Sequence, residues 1–526
     1  MTEPDHERRR PSTTRRTVLA GGVGLGIAGV LAACSRPTPS PSPSSTTSSP
    51  ATPSSSPTPT PTQEPTDGGP TTWSALAAAV SGSLLRPGST GWNTARLVEN
   101  PRYDDADPRG ILRATSAEDV QAGLAFARNT NTPVALRAGG HSYTGWSAGG
   151  ASGTDVPRSL VISTQDLDSV ELHDDDTVTI GPGAQLGDVY ATLAKAGRAI
   201  GAGSCPTVGI GGLTLGGGVG VLVRSFGLTC DQLTGATVVT PDGTVHEVSA
   251  SADPDLFWAC RGGGGGTVGV VTALTYRTQA APPVLLFRIT FAWSAAAAVV
   301  SAWQDWAPTA DPKLWSTLKL LNGSRHTAPT VTVTGVWTGS KAGADTSVDG
   351  FIDATGAKPL AHTAQQLTYG AAMSTLAGKA QRVSQSATSS IGRSKLTDAQ
   401  IDVLVDRAAA AGDVDGNLEG GVALDALGGV VADIGRTDSA FPWRAALMTV
   451  QYTAVFADGA DPAPFDAYVR GFRKAMRPAW GDAAYANYCD AAITDPSAYF
   501  GDNTSRLHRI AEQADPSGVL AQPNWV

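Results

Sequence analysis

Two nucleophilic side chains stand inside glycine-rich segments of the chain. His141 follows Gly139 and Gly140, and Cys205 lies in the run from Gly203 to Gly209. Flanking glycines expose an imidazole or a thiol, and both groups can bond to an electron-poor ring held beside them. The pattern therefore predicts a covalent attachment site for a cofactor. The alternative is an ordinary turn histidine and an inert, buried thiol.

Three glycine-rich loops surround these residues in the sequence, at 137–145, 201–220 and 261–269. Glycine lets backbone N–H groups approach a pyrophosphate closely. Three such loops predict a long, phosphate-containing cofactor, whereas a single loop could equally be a set of tight turns. No loop fits the strand–GxGxxG–helix unit or GxxxxGK[ST], so NAD and ATP are poor candidates.

The elements that must position the loops alternate between helices and strands over residues 73–279. Ser116 and Asp119 predict a capping box at the start of a helix over 117–129. The spacing of apolar residues predicts a second helix over 186–196 and strands at 133–137, 160–162 and 178–180. This is an α+β pattern with a mixed sheet.

The second half of the chain has a different pattern of apolar and polar residues. Residues 287–291 and 331–337 alternate apolar and polar side chains, as half-buried antiparallel strands do, and 295–306 predicts a covering helix. A strand over 446–456 and helices over 465–476 and 505–514 follow. On the strand, Thr449 and Gln451 should share a face.

The loop motifs resemble those of the berberine bridge enzyme-like family, within the vanillyl-alcohol-oxidase type of FAD proteins. The resemblance rests on residues 137–143, 203–209, 257–264 and 485–488 and on the closing run 499–502, and it covers about 90–281 and 440–526. It implies an α+β fold with a two-part PCMH-type FAD-binding domain and an α/β substrate domain, whose antiparallel sheet is covered by helices. The expected boundaries are 73–285 for the FAD-binding domain, 286–440 for the substrate domain and 441–526 for a segment that completes the FAD domain and active site.

The resemblance also assigns roles to residues of this chain. It implies that His141 binds the flavin 8α-methyl group and Cys205 binds flavin C6. Tyr143, Tyr488 and Gln451 take the catalytic positions, with Tyr488 as a tyrosinate base that Tyr143 assists. The other residues expected to bind FAD are Arg137, Ala138, Gly139, Gly140, Ser142, Gly145, Ser204, Val208, Gly209, Gly212, Gly217, Val270 and Asn487.

The implied activity is oxidation of a hydroxyl group, with hydride transfer to flavin N5 and oxygen as the acceptor. The substrate would be a small molecule, namely a carbohydrate or oligosaccharide or a bulky natural product, and Val208 is the residue type that leaves oxygen a path. A dehydrogenase using another acceptor and a non-catalytic flavin-binding lipoprotein are the alternatives. Three positions depart from the family pattern, because Thr449 replaces a lysine, Val219 a tyrosine and Leu213 a histidine. The departures leave the identity of the base open.

The N-terminal residues predict export. Arg15 and Arg16 precede an uncharged apolar run over 18–33, as in a twin-arginine signal peptide, and Cys34 ends a lipobox-like sequence. Residues 34–72 are rich in Ser, Thr and Pro and predict a disordered tether. We therefore expect an exported protein with a lipid anchor at Cys34 on the outer face of the cell membrane. A transmembrane anchor is the alternative, although the run is shorter than the ~20 residues that a span needs.

Composition excludes several partners. The net charge is −9, and it becomes −11 when residues 1–33 are removed, which argues against nucleic acid. Seven scattered histidines without a metal-binding spacing predict no metal site. Five cysteines are too few for a disulfide framework.

Overall fold

The computed structural model describes residues 68–378 and 381–521. The predicted signal peptide, Cys34 and most of the tether lie outside the described residues, as does the end of the chain from 522. In the described part, no helix is both long and apolar enough to cross a bilayer.

The first sheet carries the loop of His141. It has four strands in the order β1-β2-β4-β3, in which β1 is antiparallel to β2 and the other pairs are parallel. Ser116 Oγ caps the third helix by accepting from Asp119 N at 3.3 Å. The capping box is wrong in its second half, because the Asp119 carboxylate accepts from the backbone of Ser81 and Gly82 instead. The elements are α1 Trp73–Ala79, β1 Ser83–Leu85, α2 Trp92–Ala95, β2 Gly110–Arg113, α3 Ala117–Thr130, β3 Val134–Arg137 and β4 Leu160–Ser163.

The second sheet supports the other two glycine loops. It is antiparallel, with five strands in the order β5-β6-β10-β8-β9, beside a two-stranded pair β11-β7. The Thr214 and Tyr276 hydroxyls lie 2.7 Å apart and join helix α5 to β10. The elements are β5 Val170–Leu172, β6 Thr177–Ile180, α4 Leu186–Lys195, β7 Arg198–Ala199, α5 Ile210–Leu215, α6 Val223–Phe226, β8 Leu233–Val239, β9 Val245–Ser249, α7 Pro254–Ala259, β10 Val270–Arg277 and β11 Gln279–Ala280.

The third sheet is antiparallel and has seven strands in the order β15-β12-β14-β13-β17-β18-β16. Alternate residues of its strands, among them Phe287, Leu318, Val333, Leu424 and Val450, form one core with the helices α8, α9, α11 and α12. The opposite face carries mainly hydroxyl-bearing and charged side chains. The elements are β12 Val284–Phe291, α8 Ala296–Trp306, β13 Leu314–Asn322, β14 Thr330–Trp337, α9 Lys341–Thr355, β15 Ala361–Leu367, α10 Tyr369–Ala377, β16 Ser384–Gly392, α11 Asp398–Ala409, β17 Glu419–Ala426, β18 Met448–Phe456 and α12 Ala463–Trp480.

The C-terminal segment is shared between the two halves of the fold. Strand β18 pairs with β16 and β17, and α12 packs on the same sheet, so both belong to the third sheet. The boundary predicted at 440 therefore falls one strand and one helix too early, because period-two alternation identifies a strand and not the sheet that it joins. Residues 483–521, with α13 Ser497–Phe500 and α14 Thr504–Ala514, return to the first half.

Candidate active site

The three glycine loops line one cavity between the first two sheets and the C-terminal segment. Most of the residues predicted to bind the cofactor form its wall. Five predicted residues stand outside the wall: Gly145, Ser204, Cys205, Gly217 and Gln451. The wall includes Arg137, Ala138, Gly139, Gly140, His141, Ser142, Tyr143, Val208, Gly209, Gly212, Val270, Asn487 and Tyr488.

Glycines shape this cavity in two ways. A Cβ on Gly139 would come within 2.3 Å of Gly209 N, so the histidine and cysteine loops pack backbone against backbone. A Cβ on Gly212 or Gly265 would meet no protein atom within 4 Å and would stand in the cavity itself. At these two positions the wall is bare backbone, as close binding of a phosphate-containing cofactor requires.

Arg137 holds the histidine loop in place. Its Nη1 donates to Ala95 O at 2.6 Å and its Nε donates to Ser147 O at 2.8 Å. Burial lowers the pKa of the guanidinium to about 10, which leaves it protonated at neutral pH. Arg137 therefore acts on the cavity through the loop that it shapes.

His141 and Cys205 converge on one side chain at the edge of the cavity. His141 Nε2 lies 3.0 Å from Thr207 Oγ1, and Cys205 Sγ lies 3.6 Å from the same oxygen. The two reactive groups, 64 positions apart in the sequence, are thus separated by no more than the sum of two hydrogen-bond distances. Cys205 is exposed, and its thiol is free.

The electrostatic setting of His141 favours a neutral imidazole. Burial lowers its pKa to about 4. The nearest carboxylate, Glu99, lies 3.8 Å from Nε2, and burial raises the pKa of that carboxyl group while Arg382 lowers it. Because Thr207 and Glu99 both face Nε2, Nδ1 is the ring nitrogen left for another bond.

The three residues predicted to be catalytic lie next to one another, and two of them, Tyr143 and Tyr488, belong to the cavity wall. The Tyr143 and Tyr488 rings meet edge to face with their centroids 5.9 Å apart. Gln451 Nε2 donates to the Tyr143 hydroxyl at 2.8 Å. Burial raises the pKa of Tyr143 to about 12, although the Gln451 hydrogen bond lowers it.

Asp425 completes this group and was not among the predicted residues. Strand β17 places it beside Thr317 of β13 on one side and Thr449 of β18 on the other. Its carboxyl group lies near enough to Tyr488 to raise the pKa of that phenol, and burial raises the pKa of Asp425 itself against the effects of Thr317 and Lys319. The signal in the sequence was an acid inside the run 422–426, on the same face of the strand as Glu419 at its start.

The pKa of Tyr488 explains why Asp425 matters. Burial raises it well above 10, and the negative charge of Asp425 raises it further. The prediction of a tyrosinate at this position is therefore not supported by its surroundings, which lack the lysine that Thr449 replaces. Tyr488 is a phenol that has a carboxylate within reach.

Tyr485 and Ser389 fix the segment that carries Tyr488, and neither was predicted. The Tyr485 hydroxyl accepts from the N–H groups of Gly218 and Val219, each at 2.9 Å. Ser389 Oγ of β16 accepts from Tyr485 N at 3.0 Å and donates to Tyr488 O at 2.9 Å. The predicted residue Asn487 adds a hydrogen bond from Nδ2 to Leu213 O at 2.8 Å.

The other cysteines that the structure describes form no second reactive site. Cys230, Cys260 and Cys489 are buried and unpaired, and burial raises the pKa of each thiol. In residues 68–378 and 381–521, no group of three His, Cys, Asp or Glu side chains is arranged to hold a metal ion.

Comparison with known proteins identifies two family models in the chain. The model described as FAD binding domain matches residues 108–249, and the model described as berberine and berberine like matches 484–524. These matches contain both predicted attachment residues and Tyr488.

Similar proteins cover most of the chain. The FAD-linked oxidoreductase dpmaF of Metarhizium anisopliae is 30% identical over 86% of this chain and 91% of its own. The chitooligosaccharide oxidase of Gibberella zeae is 28% identical over 84% of this chain and 91% of its own.

Solved structures of this group share the fold. A chitooligosaccharide oxidase structure superimposes with a TM-score of 0.77 at 26% identity, covering 86% of this chain and 98% of its own. The Acremonium strictum glucooligosaccharide oxidase, whose crystal structure is described as revealing a novel flavinylation, gives a TM-score of 0.77 at 25% identity, covering 86% and 98%.

Proposed function

Because this chain belongs to the berberine bridge enzyme-like family of FAD-linked oxidases, we propose that it oxidises a hydroxyl group of an oligosaccharide with FAD bound through His141 and Cys205. It is an FAD-dependent oxidoreductase that acts on CH–OH groups, and related enzymes are named oxidases of gluco-, chito- and xylooligosaccharides. The oligosaccharide substrate, the two covalent bonds and the residues that perform the chemistry are the content of the proposal.

The observation that carries the proposal is the convergence of His141 and Cys205 on Thr207 beside the glycine-lined cavity. A neutral imidazole with Nδ1 available and an exposed thiol are the two nucleophiles that a doubly linked flavin needs. When bound, FAD supplies the acceptor for the hydride, at N5 of its ring.

The proton of the substrate hydroxyl leaves through Tyr488 and Asp425. We infer that the Tyr488 oxygen accepts this proton while the Tyr488 hydroxyl passes its own proton to the Asp425 carboxylate. The raised pKa of Asp425 makes it a better proton acceptor than a surface carboxylate, and the phenol never has to ionise in isolation. Tyr143, held by Gln451, orients the substrate hydroxyl from the other side.

Molecular oxygen is the proposed acceptor of the electrons. Val208 lines the cavity three residues after Cys205 and leaves more space there than a larger side chain would. Stopped-flow mixing of reduced enzyme with air-saturated buffer tests this. Reoxidation much slower than turnover would favour the second candidate, a dehydrogenase that uses another acceptor, and no flavin reduction by any sugar would favour a non-catalytic flavoprotein.

Export and lipid attachment at Cys34 complete the proposal. A cofactor held by covalent bonds cannot be lost by diffusion, which suits a protein that works outside the cell. Labelling of the protein by a radioactive fatty acid in cells, with Cys34→Ala as the control, tests the anchor, and equal labelling of both would refute it.

The decisive experiment is acid precipitation of the purified protein. The wild type should remain yellow after the denatured pellet is washed, and the single variants His141→Ala and Cys205→Ala should each keep flavin through the other bond. Only the double variant should become colourless. Hydrogen peroxide release during a screen of oligosaccharides tests the activity itself, and a colourless wild-type pellet would refute both covalent bonds.

A further inference from the structure

The polar face of the seven-stranded sheet leads directly into the site. Residues that pair across strands share a face, so one row contains Arg288, Thr334, Thr317, Asp425 and Thr449. The next row contains Thr290, Thr332, Lys319, Ala423 and Gln451. We call these two rows the polar face.

One end of this face is covered and the other is open. Trp315 comes two positions before Thr317, and Val336 comes two positions after Thr334, so both lie on the same side of the sheet as the threonines. Both pack into the core that surrounds the cofactor cavity. Lys319 lies two positions beyond Thr317 in the opposite direction and is exposed. Lys319 therefore stands on the side from which a substrate would approach Asp425.

The charge of the polar face is unusual for this chain. The whole protein has an excess of acidic residues and a net charge of −9. On the polar face, Lys319 and Arg288 are exposed cations, and among the residues that the structure describes neither forms an ion pair, unlike Lys313, Lys341 and Lys395. Within the described part of the chain, the hydrogen bond from Arg288 goes to the Thr334 hydroxyl, at 3.4 Å.

The backbones of Lys319 and Gln451 are separated by more than the width of one sugar ring. Ala423 of β17 lies between Lys319 and Gln451, so their backbones are two strand spacings apart, about 10 Å. The small side chain of Ala423 leaves the space between them free. A sugar oxidised beside Gln451 and Tyr143 would thus place the next sugar of the chain over Ala423, with its substituents near Lys319.

We propose that the substrate is an acidic oligosaccharide, in which the sugar next to the oxidised one carries a carboxylate that binds Lys319. This inference rests on the proposed function for its oxidised hydroxyl. The hydroxyl groups of Thr317, Thr332 and Thr334 serve as neutral hydrogen-bonding partners for the sugar ring. Arg288 extends the positive surface toward later residues of a longer chain.

The test compares cellobiose with the disaccharide in which C6 of its non-reducing glucose is a carboxylate. Binding to the holoenzyme is measured by isothermal titration calorimetry at low ionic strength and again in 0.5 M salt. We expect the acidic disaccharide to bind at least about tenfold more tightly in low salt, with the preference reduced in high salt because Lys319 is exposed.

Three variants make the assignment specific. Lys319→Gln should abolish the preference and Lys319→Arg should retain it. Lys313→Gln, a matched loss of an exposed cation six positions earlier in the chain, should leave it unchanged. A preference that survives Lys319→Gln, equal binding of the two sugars, or no binding of the acidic disaccharide overturns the proposal. Peroxide release from the same sugars is recorded in parallel. If the acidic disaccharide binds through Lys319 but is not oxidised, the proposed reaction is refuted and the acidic specificity is retained.

Discussion

The substitution Asp425→Asn isolates the proposed proton acceptor. Asparagine has the same shape, so the contacts with Thr317 and Thr449 can persist while the acceptor is lost. An unperturbed phenol is ionised in about one molecule in a thousand at pH 7. Burial raises the pKa of Tyr488 above that of a free phenol, so this variant would have to rely on a still smaller ionised fraction. We therefore expect flavin reduction to slow by about 10³-fold or more, about 4 kcal/mol in the barrier.

The assay is anaerobic stopped-flow reduction at saturating substrate, followed by flavin absorbance. Tyr488→Phe should slow reduction by a similar factor, and the double variant should be scarcely slower than either single one, because the two residues act as a unit. Asp349→Asn, on an exposed helical position, is the matched control and should react normally. Reduction of Asp425→Asn within about threefold of the wild type would refute the proton path.

The pH dependence provides an independent check. The carboxylate can accept a proton only above its own pKa, and burial raises that pKa above the ordinary aspartate range. The reduction rate of the wild type should therefore fall as the pH drops through this raised value. In Asp425→Asn that acidic limb should disappear, whereas a limb of unchanged position would belong to another group.

Further predictions concern the loops and the hydrogen-bond partners. Gly139→Ala should destabilise the protein by more than about 3 kcal/mol, since its Cβ would meet Gly209 N at 2.3 Å and backbone must move, and thermal denaturation would reveal it. Gln451→Leu removes the donor to Tyr143 and should reduce kcat/KM about tenfold with little effect on Tm, whereas an unchanged kcat/KM would deny Tyr143 an orienting role. In the apoprotein, His141 has a pKa of about 4 when folded and 6.5 when unfolded. The unfolded state therefore gains a proton first, and the free energy of unfolding falls as the pH drops from 6.5 toward 4. Chemical denaturation of His141→Asn apoprotein should show about 3 kcal/mol less loss of stability between pH 7 and 4 than the wild-type apoprotein, and parallel curves would contradict the shift.

Sequence periodicity predicted local elements well. The helix expected over 117–129 spans Ala117–Thr130, and the strand expected over 446–456 spans Met448–Phe456. These features follow from neighbouring residues, and the resemblance to a known family supplied the assembly of the elements. The capping box failed in its second half because the Asp119 carboxylate found backbone donors at Ser81 and Gly82, far away in the sequence.

Asp425 shows what local pattern cannot supply. Its importance depends on register, since a shift of one residue would turn its side chain into the helix-covered core. That register is set by β13 and β18, which lie about a hundred residues before it and about two dozen residues after it. Tyr488 was predicted from the sequence, but Asp425, the acid that lies beside it, was not.

The proposed catalytic group forms where the two halves of the fold join. Tyr488 lies on a segment that Ser389 attaches to the seven-stranded sheet and that Tyr485 attaches to the second glycine loop. Asp425 and Gln451 come from the sheet, while Tyr143 comes from the loop of His141. Proton transfer requires hydrogen-bond contact between donor and acceptor, so an error in the position of either half would break it. The double attachment of this short segment therefore keeps Tyr488 in register with both the seven-stranded sheet and the cofactor cavity.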